Sequence, residues 1–183
     1  MKGFTTAPYS AYRPDPLTNR LISLYPTRTC AWFNKLDAAL RTTVMVGFPS
    51  ESDDDFESLL DLVERVRFDH LGAFVYSNKK DLPSSALKNH VPDAVKQDRF
   101  DCIMSQQLVI SRERNQEYVG KTLQVLVEGG AERTDALLKG RTYFQSPEID
   151  GVVYINKGVA EPGDFVHVQI TEAREYDLIG VIV

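Results

Sequence analysis

The residues best placed to hold a ligand are those of a short turn, residues 47–51 (Gly-Phe-Pro-Ser-Glu). Gly47 has no Cβ, so a backbone or a ligand can come close to it. Pro49 cannot donate a hydrogen bond to a β-ladder, and it therefore helps to end the strand before it. We expect residues 47–51 to line a pocket. Any turn between a buried strand and a helix has a similar composition, so a purely structural turn is the alternative.

The elements on either side of this turn would position it. Residues 44–46 (Val-Met-Val) are a short apolar run that predicts a buried strand. Ser50 or Ser52 can cap a helix over 53–67, whose first turn holds three aspartates where the helix dipole favours negative charge. Its apolar residues recur on one face: Phe56, Leu59, Leu60, Val63 and Val66. The acidic run is thus interpreted as a solvated helix start and not as a metal site.

A second buried strand is predicted over residues 71–76 (Leu-Gly-Ala-Phe-Val-Tyr). A strand, a helix and a strand with this spacing form a parallel pair joined by a right-handed crossover. In α/β folds the ligand lies at the carboxyl ends of such strands, where Tyr76 would meet the turn 47–51. The Tyr76 ring could stack on a flat ligand there, or it could simply close the sheet. The loop 78–91 follows at the same edge.

A change of pattern at Gly120 indicates a second region. Pro92 suits the first position of a helix that runs to about Tyr118 and bridges into it. Short strands and turn signals then predict a small closed antiparallel barrel of the OB type over 119–183. This region carries six bases and ten acids, a balance of −4. Such a barrel would repel a phosphate backbone and attract a basic protein.

Composition excludes several classes of protein. With 43% hydrophobic and 26% charged residues, the 183-residue chain is an ordinary globular protein of one or two domains. Its net charge of −5 argues against binding nucleic acid through bulk electrostatics. No apolar run approaches the ~20 residues of a membrane span, and residues 1–25 lack the apolar core of a secretory signal. We therefore expect a cytoplasmic protein with no membrane partner.

The metal-ligating residue types are few and scattered. Cys30 and Cys102 lie far apart, which fits a reducing compartment and excludes a disulfide framework. A cysteine-only metal or cluster site needs about three or four thiolates, so this chain alone is not expected to form one. The histidines, His70, His90 and His167, show no metal-ligand spacing. We expect no metal site.

The first 37 residues show little periodicity and are rich in Pro, Tyr, Thr and Arg. They are expected to form an irregular N-terminal arm. Residues 31–40 could form a short helix, since Trp32, Leu36 and Leu40 have helical spacing, and Trp32 would then anchor a core.

Four segments occur in an order that carries a family resemblance. They are residues 41–51 (Arg-Thr-Thr-Val-Met-Val-Gly-Phe-Pro-Ser-Glu), 74–77 (Phe-Val-Tyr-Ser), 111–115 (Ser-Arg-Glu-Arg-Asn) and 147–165, which contains Pro-Glu-Ile-Asp-Gly-Val-Val-Tyr and Pro-Gly-Asp-Phe. Together they resemble the radical S-adenosylmethionine (SAM) methylthiotransferases, and most closely the RimO type. The resemblance covers roughly residues 38–183. Family members of the RimO type modify an aspartate of a small-subunit ribosomal protein.

The resemblance implies the C-terminal part of a radical SAM (β/α) barrel with a bridging helix over 38–118, followed by a TRAM β-barrel over 119–183. It implies SAM and 4Fe-4S clusters as cofactors. Arg41 becomes a candidate partner for the SAM carboxylate, and Tyr76 would flank the cofactor. The turn beside SAM would contain the remaining site residues: Gly47, Phe48, Pro49 and Glu51. An acidic TRAM barrel resembles the kind that docks a basic ribosomal protein; RNA is the alternative partner.

This sequence also departs from the family pattern. The cluster motif Cys-x3-Cys-x2-Cys is absent, and residues 1–37 do not resemble the barrel strands expected before Arg41. Ser50 stands where a glycine is expected, Asp81-Leu82 where Gly-Thr is expected, and Gln145-Ser146 where Asp-Ala is expected. We therefore expect the C-terminal part of such an enzyme, truncated or degenerate and inactive alone. A non-enzymatic module that docks a ribosomal protein or RNA is the alternative.

Overall fold

The computed structural model describes residues 38–79, 81–131 and 137–183. The chain divides into two compact units, and the division falls between Gln107 and Leu108. The arm predicted over 1–37 lies outside the described residues, and so does most of the helix predicted over 31–40. Residues 38–40, the end of that predicted helix, belong to neither a helix nor a strand.

The first unit contains a parallel β-α-β arrangement. Strand β1 (Arg41–Val46) leads to helix α1 (Asp53–Val66), and strand β2 (His70–Val75) follows. The two strands pair in parallel from Arg41 opposite His70 to Val46 opposite Val75. The Tyr76 amide continues this pairing, because it donates to the Val46 carbonyl at 2.9 Å. The parallel pair predicted from the sequence is confirmed.

The strands are less buried than predicted. In β1 only alternate residues, Thr42, Val44 and Val46, are buried. In β2 only Leu71 is buried, and Phe74 is 62% exposed. Side chains of a strand alternate between two faces, so the chain covers one face of this two-stranded sheet along β1. The prediction of two buried strands therefore holds for one face of β1 and is wrong for most of β2.

Helix α1 begins where its capping residues predict. Ser52 is the N-cap: its hydroxyl accepts from the Asp55 amide at 3.1 Å, and the Asp55 carboxylate accepts from the Ser52 amide at 3.0 Å. This reciprocal pair satisfies two amides at the helix start. On the predicted apolar stripe, Leu59 and Val63 are buried. The helix ends at Arg67, which adopts a left-handed conformation (φ 52°).

Replacing Ser52 by Ala is expected to lower the free energy of unfolding by about 1 kcal/mol, because the Asp55 amide loses its acceptor. Urea denaturation followed by circular dichroism measures the loss. Ser58→Ala is the matched control: its hydroxyl donates to the Asp54 carbonyl inside the same helix, and alanine is the better helix former. A Ser52→Ala variant as stable as Ser58→Ala would show that the cap contributes nothing.

The connection from β2 to the next helix is a loop that contains a short 3₁₀ turn, Pro83–Ala86. Helix α2 (Asp93–Gln116) begins one residue after Pro92, which was predicted as its first residue, and ends close to the predicted Tyr118. Its side chains up to Gln107 belong to the first unit, where Ile103 is fully buried. No helix in the described ranges has both the length and the apolar character needed to cross a membrane.

The second unit is a closed five-stranded barrel. Its strands are β3 (Thr122–Gly130), β4 (Leu138–Arg141), β5 (Val153–Lys157), β6 (Phe165–Ala173) and β7 (Leu178–Ile182). They close in the order β3-β4-β5-β7-β6, and β6 returns to pair with β3. The barrel's core contains these residues: Val125, Val127, Phe144, Val153, Ile155, Val168, Ile170 and Leu178. The small closed barrel predicted for this region is confirmed.

One strand pairing differs from the prediction of an antiparallel barrel. Strands β5 and β7 run parallel, with Val153 opposite Leu178, while the other four pairings are antiparallel. Two strands can be parallel only when the chain crosses over between them. Here β6 makes that crossing, because it lies between β5 and β7 in sequence and beside β7 in space.

Candidate functional site

Five of the six predicted site residues meet at one corner of the first unit. Gly47, Phe48, Pro49 and Glu51 form a buried turn at the carboxyl end of β1. The turn is closed by the Glu51 amide, which donates to the Phe48 carbonyl at 3.0 Å. Tyr76 follows β2 at the same edge, and its ring lies 5.1 Å from the Phe48 ring in an edge-to-face arrangement. We call residues 47–51 and Tyr76 the corner.

Arg41 does not join the corner. It is the first residue of β1 and is exposed, whereas the corner follows the last residue of that strand. Six residues of extended chain separate Arg41 from Gly47 by roughly 20 Å. The structure therefore places Arg41 at the opposite end of the strand from the other predicted cofactor residues.

The Glu51 carboxylate holds the turn together from inside. It accepts hydrogen bonds from the Gly47 amide at 3.0 and 2.9 Å, and its Oε2 lies 3.4 Å from the Phe48 amide nitrogen. Its side chain is only 1% exposed. A buried carboxylate needs such donors, because an unpaired one would be costly away from water. The Glu51 carboxylate thus binds the backbone of its own turn.

Arg99 of helix α2 neutralises Glu51, and sequence reasoning missed it. Its Nη1 lies 2.5 Å from Glu51 Oε1, and its Nη2 lies 2.6 Å from the exposed Asp53. Burial by itself lowers the pKa of Arg99, but hydrogen bonds to Asp53 and Glu51 outweigh it and raise the pKa above its ordinary value. The guanidinium also lies 5.4 Å from the centre of the Phe56 ring. The ion pair between Arg99 and Glu51 connects the corner to α2.

Lys96, one helical turn before Arg99, occupies the space beside Gly47. Gly47 has φ +79°, and a Cβ on it would lie 2.2 Å from Lys96 Cγ. The close approach that the sequence predicted at this glycine therefore exists, but the chain's own lysine stem makes it. Lys96 Nζ donates to Asp93 at 2.8 Å, and this hydrogen bond lowers the pKa of Asp93.

The Tyr76 ring is enclosed by residues of the following loop. Its hydroxyl donates to Ser84 Oγ at 2.9 Å, and the His90 ring stacks at 6.4 Å. Lys96 Nζ lies 5.6 Å from the ring centre. The Ser50 amide donates to the Asn89 carbonyl at 2.8 Å, which joins the turn to the same loop. In this conformation Tyr76 closes the corner.

These contacts decide how the corner fits the implied cofactors. Glu51 and Tyr76 use their polar groups in hydrogen bonds within the chain, so in this conformation those groups support the turn. A role of the Tyr76 ring beside SAM stays a prediction. Within residues 38–79, 81–131 and 137–183, no three His, Cys, Asp or Glu residues lie close enough together to hold a metal ion. With two cysteines in the sequence, the residues do not fit a 4Fe-4S cluster.

Comparison with known families and proteins covers most of the chain. A family model described as TRAM domain matches residues 119–183, the range that contains β3–β7. A protein from Anaeromyxobacter sp. (strain K), named ribosomal protein uS12 methylthiotransferase RimO, is 52% identical over 145 residues, which are 79% of this chain and 31% of that protein. Proteins of the same name from Bdellovibrio bacteriovorus and Clostridioides difficile are each 50% identical over 147 and 146 residues.

Those matches cover 80% and 79% of this chain and 32% of each relative. The chain thus spans about a third of the length of the curated relatives it matches.

Proposed function

We infer from the chain's correspondence to the C-terminal part of the RimO-type methylthiotransferases that it serves the methylthiolation of an aspartate in a small-subunit ribosomal protein. The observation that carries this proposal is that about half the residues are identical over 145 aligned positions. An alignment of this length extends well beyond the 65 residues of the TRAM range. The relatives are named for uS12, so uS12 is the partner to test first. Such a role places the protein in the cytoplasm.

The barrel's contribution to this function would be to dock the substrate protein. Residues 119–183 carry ten acids against six bases. A ribosomal protein binds the phosphate backbone of RNA and is therefore expected to be basic. The acidic barrel would attract such a protein and repel RNA. Electrostatic attraction of this kind raises the association rate and falls with added salt.

The first unit's contribution would be structural support for the cofactor side. When bound, SAM would supply the reactive group and an iron–sulfur cluster would supply the electron that cleaves it. The chain's two cysteines are too few to ligate that cluster. What these residues do is hold the turn 47–51 in one conformation through Glu51 and Arg99. We propose that the chain alone does not cleave SAM.

Calorimetry of the full chain with purified uS12, at low and high salt, tests the docking function. We expect binding at low salt that weakens as salt rises, and no binding of single-stranded RNA at either salt concentration. Absence of uS12 binding at low salt would contradict the proposal. Preference for RNA over uS12 would also contradict it, because that result requires a basic surface.

Anaerobic incubation with iron and sulfide tests the cofactor side separately. We expect no iron–sulfur absorbance band and no SAM cleavage by the chain alone. A cluster-bound sample that cleaves SAM would overturn this part of the proposal and leave the docking part intact.

A non-enzymatic docking module is the second candidate, and the enclosed corner favours it: Lys96 fills the space beside Gly47, and Glu51 is neutralised by Arg99. Calorimetry with SAM separates the two candidates. Binding of uS12 without binding of SAM identifies the module, whereas SAM binding shows that the corner can still open to a cofactor.

A further inference from the structure

The loop between β4 and β5, residues 142–152, is held rigidly by its own polar groups. Gln145 Oε1 accepts from the Thr142 amide at 3.0 Å and from the Thr142 hydroxyl at 3.1 Å, and both residues are buried. The Ser146 amide donates to Asp150 Oδ2 at 2.6 Å. Hydrogen bonds of this kind, two of them buried, favour one loop conformation.

Three further contacts anchor this loop to its surroundings in the second unit. Phe144 belongs to the barrel core and stacks on Tyr118, with ring centres 4.9 Å apart. At the other end, the Val152 amide donates to Asp177 Oδ1 at 2.9 Å. A Cβ on Gly151 would lie 1.8 Å from the Tyr176 carbonyl oxygen. The loop therefore lies directly against the turn between β6 and β7, residues 174–177.

These two loops expose apolar side chains although their backbones are fixed. Tyr143 is 63% exposed and Ile149 is 78% exposed, and Tyr176 in the neighbouring turn is about half exposed. We call residues 142–152 and 174–177 the rim surface. Aromatic and aliphatic side chains on a preorganised backbone are the usual anchors of a protein interface, because little entropy is lost when a partner covers them.

The charge of the rim surface selects the kind of partner. It carries four acids and one base: Glu148, Asp150, Glu175, Asp177 and Arg174. Arg112 Nη1 lies 4.0 Å from Glu175 Oε1, so the two exposed side chains form a long ion pair. A surface of this sign opposes a phosphate backbone and complements lysines and arginines of a protein segment.

We propose that the rim surface is where the barrel binds a basic protein segment that also carries apolar side chains. Tyr143 and Ile149 contact those apolar side chains, and the surrounding carboxylates contact the basic ones. This inference rests on the proposed docking function, and it assigns that function to particular loops of the barrel.

Calorimetry of full-length variants with uS12 tests the assignment. Tyr143→Ala and Ile149→Ala are each expected to raise the dissociation constant about tenfold, as truncation of an interface anchor does. Glu148→Gln is expected to raise it less and to reduce its salt dependence, because the charge acts mainly on the association rate. Val159→Ala is the matched control: Val159 is 95% exposed, but lies in the loop between β5 and β6, and its removal should change affinity less than twofold.

Thermal unfolding checks the fold of each variant. Ile149→Ala and Val159→Ala should match the parent chain because both side chains are exposed, whereas Tyr143→Ala also loses an edge-to-face contact with Phe144 at 5.2 Å and should be slightly less stable. If the parent binds uS12 and the two rim variants bind equally well, the rim assignment is wrong while the docking function stands. If Val159→Ala weakens binding more than Ile149→Ala does, the interface lies on the other loop and the assignment is again wrong. If the parent itself does not bind uS12, the proposed docking function fails together with the inference.

Discussion

Replacing Glu51 by Ala is expected to lower the free energy of unfolding of the first unit by roughly 3–5 kcal/mol, the cost of breaking a buried ion pair by removing one partner. The substitution leaves Arg99 buried with only the exposed Asp53 as a counter-charge. It also leaves the Gly47 and Phe48 amides without their acceptor. Urea denaturation measures the total effect, and hydrogen exchange at these two amides locates it in the turn.

Asp53→Ala is the matched control, because Asp53 bonds the same guanidinium from an exposed position. An exposed pair contributes about 0–1 kcal/mol, so this variant should be nearly as stable as the parent. The double variant Glu51→Ala with Arg99→Met should be less unstable than the sum of the two single losses, since no buried charge remains unpaired. Equal effects of Glu51→Ala and Asp53→Ala would show that the buried pair does not hold the corner.

The parts of the fold that were predictable from sequence are those specified by local patterns. Ser52 and Asp55 are three residues apart and define the start of α1 by themselves. The parallel pair of β1 and β2 follows from a single crossover helix of suitable length. Turn signals between short apolar runs were enough to predict a small closed barrel. The parallel pairing of β5 with β7 was not predictable in this way, because it joins strands that are not consecutive in sequence.

In the corner, too, the local features were predictable from sequence and the long-range contacts were not. Gly47 was correctly singled out as a position of close approach, because only a residue without Cβ fits there. The group that approaches is Lys96, which lies far along the chain, and Glu51 meets Arg99 across a similar separation. Lys96 and Arg99 have the i, i+3 spacing of one helix face, and this was the available signal that both could reach one site.

Arg41 lies apart from the corner, and the sequence already indicated this separation. It precedes the predicted strand while the turn 47–51 follows it, and a strand of six residues keeps its two ends apart. Tyr76, by contrast, follows the carboxyl end of β2, the edge of the sheet where ligands bind in α/β folds. The family resemblance had grouped residues that the strand separates.

Gly47→Ala is the second large effect that we expect, with a loss of roughly 2–5 kcal/mol in the free energy of unfolding. About 1–2 kcal/mol comes from holding a residue with a Cβ at positive φ, and about 1–3 kcal/mol from overpacking. The new Cβ would lie 2.2 Å from Lys96 Cγ, a buried atom near the base of the side chain. Urea denaturation followed by circular dichroism measures the loss.

Gly120→Ala separates the two contributions to this loss. Gly120 has a similar φ of +85°, and in the part of the chain that the structure describes no heavy atom beyond its chain neighbours lies within 4 Å of its Cβ position. This variant should therefore lose only the backbone contribution, about 1–2 kcal/mol. In a Lys96→Ala background, Gly47→Ala should cost less than in the parent chain, because the Cγ and Cδ atoms that it meets are gone and only the Cβ of residue 96, at 2.9 Å, remains close. If Lys96→Ala brings no such relief, the lysine stem is not what makes glycine necessary at the corner.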